Sequence, residues 1–336
     1  MFYFREYNNL QIKQKQNSQM LYESYLEVLH RYHLQYRYKM LWQRHKDGYQ
    51  LLAKENLTTG KREYLGRRNE QTEAIAENFR ASKQQIKERL KMLKERLKRD
   101  EKLNKFEKLG RVPKELIAIL RKVNELDLDK NLIVIGTNSL YAYEAKAGVM
   151  IEEEYLATED IDLLNRRQKG LSFLFHHLHA DVDAILLLQA IDKSFYQSPN
   201  IPYRFINQDG VWVELLTPAS SKGAQSELFN DILPLEMDGM QWLENARLFQ
   251  ETVIGTNGKT ATMTTIHPLE FAIYKNWLST VPDRNILKKN RDYAQAKLVT
   301  QLIEEYMVNI DIDAELKRMK HFKKEVVKAY KQKVLS

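Results

Sequence analysis

The chain of 336 residues carries 53 lysines and arginines against 45 aspartates and glutamates, a formal net charge of +8, and no cysteine. Disulfides and thiolate metal sites are thereby excluded, and a reducing cytoplasm is the simplest setting. With 43% hydrophobic residues the composition allows a real core, and 12 glycines and 7 prolines are few enough to argue against long disordered linkers.

Met1-Phe2-Tyr3-Phe4-Arg5-Glu6 lacks the apolar run of a signal peptide, and no stretch approaches the length of a membrane span. The basic balance favours acidic partners such as nucleic acid or nucleotide phosphates. Residues 1 to about 45 read as helix, because Tyr22, Tyr25, Leu26, Leu29, Tyr32 and Tyr36 recur at helical spacing. Tyr residues in the run 22–38 could stack bases, but a helix core is the simpler use. Residues 48–66 read as a small hairpin turning at Thr58-Thr59-Gly60.

From Glu70 to Leu109 the helical signal is strongest, and Ile86, Leu90, Leu93 and Leu97 form a heptad-like stripe. That stripe makes the helix 75–109 a candidate for docking a partner protein or a second copy of the chain. Its other faces, from Lys83 through Arg99, are basic enough to meet RNA. Gly110 and Pro113 end the segment, and a short helix follows through Leu116, Ile119, Leu120 and Val123.

The pattern then changes. Leu132-Ile133-Val134-Ile135 reads as a buried strand broken by Gly136, Ser139 to Ala147 as helix, and Thr158 to Leu164 as a second strand followed by a helix to about Leu187. Tyr203–Ile206 and Val211–Leu216 flank the turn Asn207-Gln208-Asp209-Gly210, and Phe249–Gly255 and Thr260–Ile266 flank Asn257-Gly258, so both read as hairpins. From Pro268 onward the chain reads as helical, with a basic last stretch from Lys317 to Lys333.

Nucleotidyl transfer assisted by metal needs two carboxylates on one face of a strand. Asp160-Ile161-Asp162 supplies them, since residues two apart on a strand share a face. The same chemistry needs backbone amides beside the phosphates. A glycine turn leaving a strand and entering a helix provides them, and Gly136-Thr137-Asn138-Ser139 fits. Either feature alone is common; their succession is restrictive. A third carboxylate on an adjacent strand completes such a site, and Glu214, the one charge within Val211–Leu216, is the candidate.

Ile135-Gly136-Thr137-Asn138-Ser139-Leu140-Tyr141-Ala142-Tyr143-Glu144 followed by Ala157-Thr158-Glu159-Asp160-Ile161-Asp162-Leu163-Leu164 resembles a family of bacterial nucleotidyltransferase-fold proteins in the DNA polymerase β superfamily. More distantly it is similar to the abortive-infection and type IV toxin–antitoxin nucleotidyltransferase toxins. Met40-Leu41-Trp42, Leu65-Gly66-Arg67-Arg68, Gly110-Arg111-Val112-Pro113 and Pro268, Phe271, Lys275, Arg284, Lys288 and Arg291-Asp292 extend the resemblance over roughly residues 38–300. The resemblance implies that Asp160 and Asp162 bind Mg2+ or Mn2+, that Glu214 is the third ligand or the base, and that Lys275 and Arg291 reach the triphosphate. The chain departs from the wider superfamily in having Gly136-Thr137-Asn138 where Gly-Gly or Gly-Ser is usual, and a glutamate as third carboxylate.

The expected fold is α+β. A helical module with a small hairpin and the long basic helix (1–112) leads into a mixed-sheet nucleotidyltransferase domain (113–266), and a C-terminal helical region (267–336) closes it. The expected activity moves a nucleoside monophosphate from a nucleoside triphosphate to an acceptor hydroxyl, with RNA, such as the tRNA 3′ end, the first acceptor and protein the second. The alternative is a degenerate fold that binds nucleotide, RNA or a partner without turnover, as a component of a toxin–antitoxin or phage-defence system. Two other signals are discounted. Gly255-Thr256-Asn257-Gly258-Lys259-Thr260 mimics a phosphate loop but leads into a β-branched run rather than a helix. His176, His177, His179, Asp181 and Asp183 mimic a metal cluster, but apolar residues at helical spacing run through the same segment.

Overall fold

The computed structural model describes residues 1–166, 183–219 and 239–335. The N-terminal strand β1 (Arg5–Glu6) pairs antiparallel with β6 (Val149–Met150) and so ties the start of the chain to the central domain. Asn8 then caps α1 (Asn9–Gln35) through a reciprocal box with Gln11.

The helix expected to run to about residue 45 ends at Gln35. Residues 38–44 are instead strand β2 (Tyr38–Arg44), the first of an antiparallel meander with β3 (Gln50–Asn56) and β4 (Arg62–Arg67). The physical reason lies in Tyr38-x-Met40-x-Trp42, an alternation of period two, and in the turn at Gly48, whose φ of 88° returns the chain on itself.

Asn69 caps the 37-residue helix α2 (Glu70–Phe106) through a second box, with Thr72. The stripe Ile86, Leu90, Leu93 and Leu97 is not free. It packs on Tyr22, Tyr25, Val28 and Leu29 of α1, so the chain's own first helix covers the face on which self-association was expected. The tyrosine run of α1 serves that core, as the hydroxyl of Tyr22 shows by donating to Asn124 Oδ1 at 3.1 Å.

Helix α3 (Lys114–Glu125) enters the central domain. There β5 (Leu132–Val134), β7 (Asp160–Asn165), β10 (Trp212–Leu216), β9 (Arg204–Ile206) and β8 (Tyr196–Gln197) form a five-stranded sheet in the order β5-β7-β10-β9-β8. Only β7 and β10 run parallel, so the sheet is mixed and the fold is α+β. A 3-10 turn (Gly136–Ser139), α4 (Leu140–Ala147) and α5 (Glu153–Leu156) link β5 to β7.

The hairpin of β11 (Leu248–Ile254) and β12 (Thr260–Ile266) turns at Gly258, where φ is 80° and a Cβ would meet the backbone oxygen of Glu101. Residues after Lys259 are therefore strand, as the rejection of a phosphate loop requires. Helices Pro268–Leu278, Ile286–Tyr306, Ile312–Arg318 and Lys324–Val334 complete the chain. His176, His177, His179 and Asp181 lie outside the described residues. No helix among those described is long and apolar enough to cross a membrane.

Candidate active site

Strand β5 ends where the amide of Ile135 donates to the main-chain oxygen of Asp162 at 3.0 Å. The next residue, Gly136, has φ 69°, and a Cβ there would lie 2.4 Å from Asp162 Oδ2. Both the left-handed backbone and the close approach demand glycine. The turn is thus pressed against the carboxylate that follows it on the neighbouring strand.

On β7, Ile161 and Leu163 point into the core, which sends Asp160 and Asp162 to the other face. The parallel register of β7 and β10 sets Glu214 beside Asp162. One ligand oxygen from each of Asp160, Asp162 and Glu214 lies within 4.8 Å of the others. Thr158 Oγ1 donates to Asp160 Oδ1 at 2.6 Å, and Asn138 Nδ2 donates to the Asp160 main-chain oxygen at 2.9 Å. Arg204, on β9, donates through Nε (2.9 Å) and Nη2 (2.5 Å) to one oxygen of Glu214, Oε1. Among the described residues, Oε2 receives no protein donor.

Opposite the carboxylates stands a cationic wall. Lys275, Arg284, Lys288 and Arg291 line, with Gly136, Thr137 and the three carboxylates, a cavity of about 230 Å³. The resemblance implies that Lys275 reaches the triphosphate, yet its ammonium is held by the protein. The residue is 3% exposed, and its Nζ donates to Asp292 Oδ1 at 2.8 Å. Arg284 takes the other oxygen of the same fully buried carboxylate. Arg291 Nη1 reaches the main-chain oxygen of Ala157 at 3.4 Å.

Electrostatics follow from this crowding. Burial first, and then the negative charges of Asp160 and Glu214, push the Asp162 carboxyl up to about 7, against the pull of Lys275 and Lys288. Burial depresses the Lys275 ammonium below the ordinary lysine value, and Asp292 opposes that fall. A carboxylate pushed up by burial and then by like charges, with an oxygen of Glu214 that receives no donor among the described residues, fits a divalent cation: Asp160, Asp162 and Glu214 are hard oxygen ligands of the kind Mg2+ and Mn2+ take.

The cradle divides in two. Gly136 and Thr137 line the cavity, and Thr137 Oγ1 accepts from Gln295 Nε2 at 3.3 Å. The side chains of Asn138 and Ser139 turn inward: Asn138 staples Asp160, and Ser139 Oγ accepts from Thr265 Oγ1 at 2.7 Å. These two contribute to the turn through their backbone and packing rather than as walls of the cavity. Sequence reasoning did not assign Arg284, Lys288, Asp292 or Arg204 to the site. A signal for Lys288 and Arg291 was present, since residues three apart share a helix face. Arg204 had a signal too, since the hairpin read across Asn207-Gln208-Asp209-Gly210 is the pairing of β9 with β10 that brings it to Glu214.

No curated protein and no solved structure matches the chain. The sequence model of a nucleotidyltransferase family matches residues 114–319, more than half of the chain and the segment that holds every residue of this site, and the chain belongs to that nucleotidyltransferase family.

Proposed function

We propose that the protein transfers a nucleoside monophosphate from a nucleoside triphosphate to an acceptor hydroxyl, in a reaction that depends on Mg2+ or Mn2+, with RNA as the acceptor. The observation that carries this reading is the facing of Asp160, Asp162 and Glu214 by Lys275, Arg284, Lys288 and Arg291 across one cavity. Asp160, Asp162 and Glu214 would hold the divalent ions, which would supply countercharge to the triphosphate and acidify the attacking hydroxyl.

The residues of the chain do the rest. Gly136 and Thr137 offer amides to the phosphates where the turn leads into α4. Lys288 and Arg291 neutralise the charge that grows on pyrophosphate as it departs. Lys275 and Arg284, locked by Asp292, hold the wall in place before substrate arrives. In the step itself the acceptor oxygen bonds to the α-phosphorus and the bond to the α,β-bridging oxygen breaks. Pyrophosphate leaves, and the hydroxyl proton passes to a carboxylate of the site or to water. The formal charge of +8 favours RNA, with the tRNA 3′ end the first candidate and a protein hydroxyl the second.

The test is a labelling assay with the full chain, Mg2+ and each of four α-labelled nucleoside triphosphates, with total tRNA and lysate protein as acceptors. Label on RNA from wild type, lost in Asp160→Ala/Asp162→Ala, is the expected result. Label on protein alone would move the acceptor. The grip of Arg204 on Glu214 favours one second reading, nucleotide binding without turnover. That reading predicts no label, and nucleotide affinity that is the same without metal and after Asp162→Asn.

A further inference from the structure

We propose that the β2–β3–β4 meander is the surface on which the RNA acceptor docks, an inference that rests on the RNA reading above. The meander carries a marked excess of positive charge. Residues 37–68 hold nine basic side chains against three acidic ones, Asp47, Glu55 and Glu63. All three acids are already engaged: Glu55 by Lys39 at 2.6 Å and by Arg62, Glu63 by Lys54 at 3.9 Å, and Asp47 by His45 at 3.2 Å. Arg44, Lys46, Lys61 and Arg67 are exposed and, among the described residues, have no carboxylate in ion-pair range.

The aromatic side chains of the sheet are plated by cations. Arg67 lies over Tyr49 at 4.1 Å, Lys54 over Tyr38 at 4.3 Å and Arg68 over Trp42 at 5.2 Å. Tyr64 is exposed beside them. A surface of guanidinium and ammonium groups layered on rings offers phosphates their countercharge and bases a plane to stack on. An acidic protein would use the charges but has no call on the rings.

The position suits an acceptor that must reach the site from a distance. The meander is carried at the far end of the α1–α2 arm. α2 is anchored near its other end, where Asn104 Nδ2 donates to the main-chain oxygen of Gly258 at 3.0 Å. At ~1.5 Å per residue, roughly 50 Å of helix separates that anchor from the meander. The helix between is itself basic, with eleven lysines and arginines against seven acids over residues 70–106. The charge therefore forms a track from the sheet back to the central domain.

The experiment measures binding of a fluorescein-labelled RNA hairpin with a single-stranded 3′ tail to the full chain by anisotropy across a salt series. The variant is Arg44→Ala/Lys46→Ala/Lys61→Ala/Arg67→Ala. The expected result is RNA binding weaker by about tenfold or more, with the slope of log K against log salt reduced by about 3, as four lost phosphate contacts dictate. Its melting temperature and its transfer to a trinucleotide acceptor, too short to span the arm, stay at wild-type values. Unchanged affinity and slope overturn the proposal, and so does competition by poly-L-glutamate as effective as competition by RNA, which would assign the surface to an acidic protein. Wild type that labels RNA while the variant binds as well as wild type removes the meander alone. Wild type that neither binds nor labels RNA removes the RNA reading with it. Asp160→Asn/Asp162→Asn, which spares the arm, is expected to bind the hairpin like wild type.

Discussion

Gly136 and Asp162 are in such close approach that a methyl group on the glycine would begin 2.4 Å from the carboxylate oxygen Oδ2. Turn and carboxylate are therefore one unit: the turn can take its shape only because nothing projects from position 136, and Asp162 can reach the cavity only because the turn leaves it room. Gly136→Ala adds a clash to a left-handed backbone, at a cost of about 1–3 kcal/mol from the backbone alone. The relaxation that relieves it must displace Asp162. Transfer activity is expected to fall by about a hundredfold or more while circular dichroism keeps its shape, a loss of about 3 kcal/mol in transition-state stabilisation. Gly48→Ala is the control, since φ there is 88° but no atom lies within 4 Å of the added carbon. It should lose stability and keep transfer to a trinucleotide acceptor, which is too short to need the meander. Activity in Gly136→Ala equal to that of Gly48→Ala would show that the turn does not set Asp162.

A second expectation concerns pH. The Asp162 carboxyl is pushed up to about 7 by burial and by Asp160 and Glu214. A carboxyl raised in the folded state binds its proton more tightly there than in the unfolded chain. The metal-free protein should therefore lose stability as pH rises from about 4 through about 7, and recover none above it. A divalent cation replaces the proton as the neutralising charge, so the rise in Tm on adding Mg2+ or Mn2+ should grow from about pH 6 to about pH 8. Asp162→Asn should flatten both responses and melt no lower than wild type at the higher pH. A metal-induced shift that is the same at both pH values would sink this account.

Lys275 and Asp292 form a buried pair, 2.8 Å apart, with Arg284 on the second oxygen of the carboxylate. Removing one member of such a pair leaves an uncompensated buried charge, which costs about 3–5 kcal/mol, whereas removing both costs less than the sum. Asp292→Asn and Lys275→Met are each expected to lower Tm strongly, and the double variant to recover part of the loss. Asp292→Asn should also raise KM for the nucleoside triphosphate more than it lowers kcat, because it loosens the wall without touching the three carboxylates. Additive losses in the double variant would mean that the two groups are not coupled.

The parts of this site visible in the sequence are those encoded locally. Asp160-Ile161-Asp162 declares its shared face by spacing alone, and Gly136 declares the turn by breaking an apolar run. Glu214 is conspicuous as a charge inside an apolar strand. Which oxygen of Glu214 is free, by contrast, depends on Arg204: the hairpin of β9 and β10 sets the two residues opposite each other, but which oxygen the guanidinium takes is a matter of side-chain geometry that spacing does not encode. The burial of Lys275 was not legible either: Asp292 lies on the next helix, and only the packing of the two helices makes burial of the ammonium tolerable. Strand β2 was hidden differently. Tyr32 and Tyr36 carry the helical period to the edge of Tyr38-x-Met40-x-Trp42, and the two periods overlap where one gives way to the other.

The stripe on α2 supports a last prediction, against the reading that its heptad pattern suggests. Leu93 and Leu97 are 6% and 4% exposed because Tyr22, Tyr25, Val28 and Leu29 of the same chain cover them. A seam already filled from within has nothing left to offer a second copy. Leu93→Ala is therefore expected to destabilise the protein by about 2–4 kcal/mol through the cavity it opens, and to leave the mass measured by light scattering where wild type has it. A wild-type dimer that Leu93→Ala turns into a folded monomer would mean that the stripe pairs between chains. Loss of stability at constant mass is what a closed α1–α2 arm requires, and it is also what a long lever needs if it is to hold the meander rigidly away from the central domain.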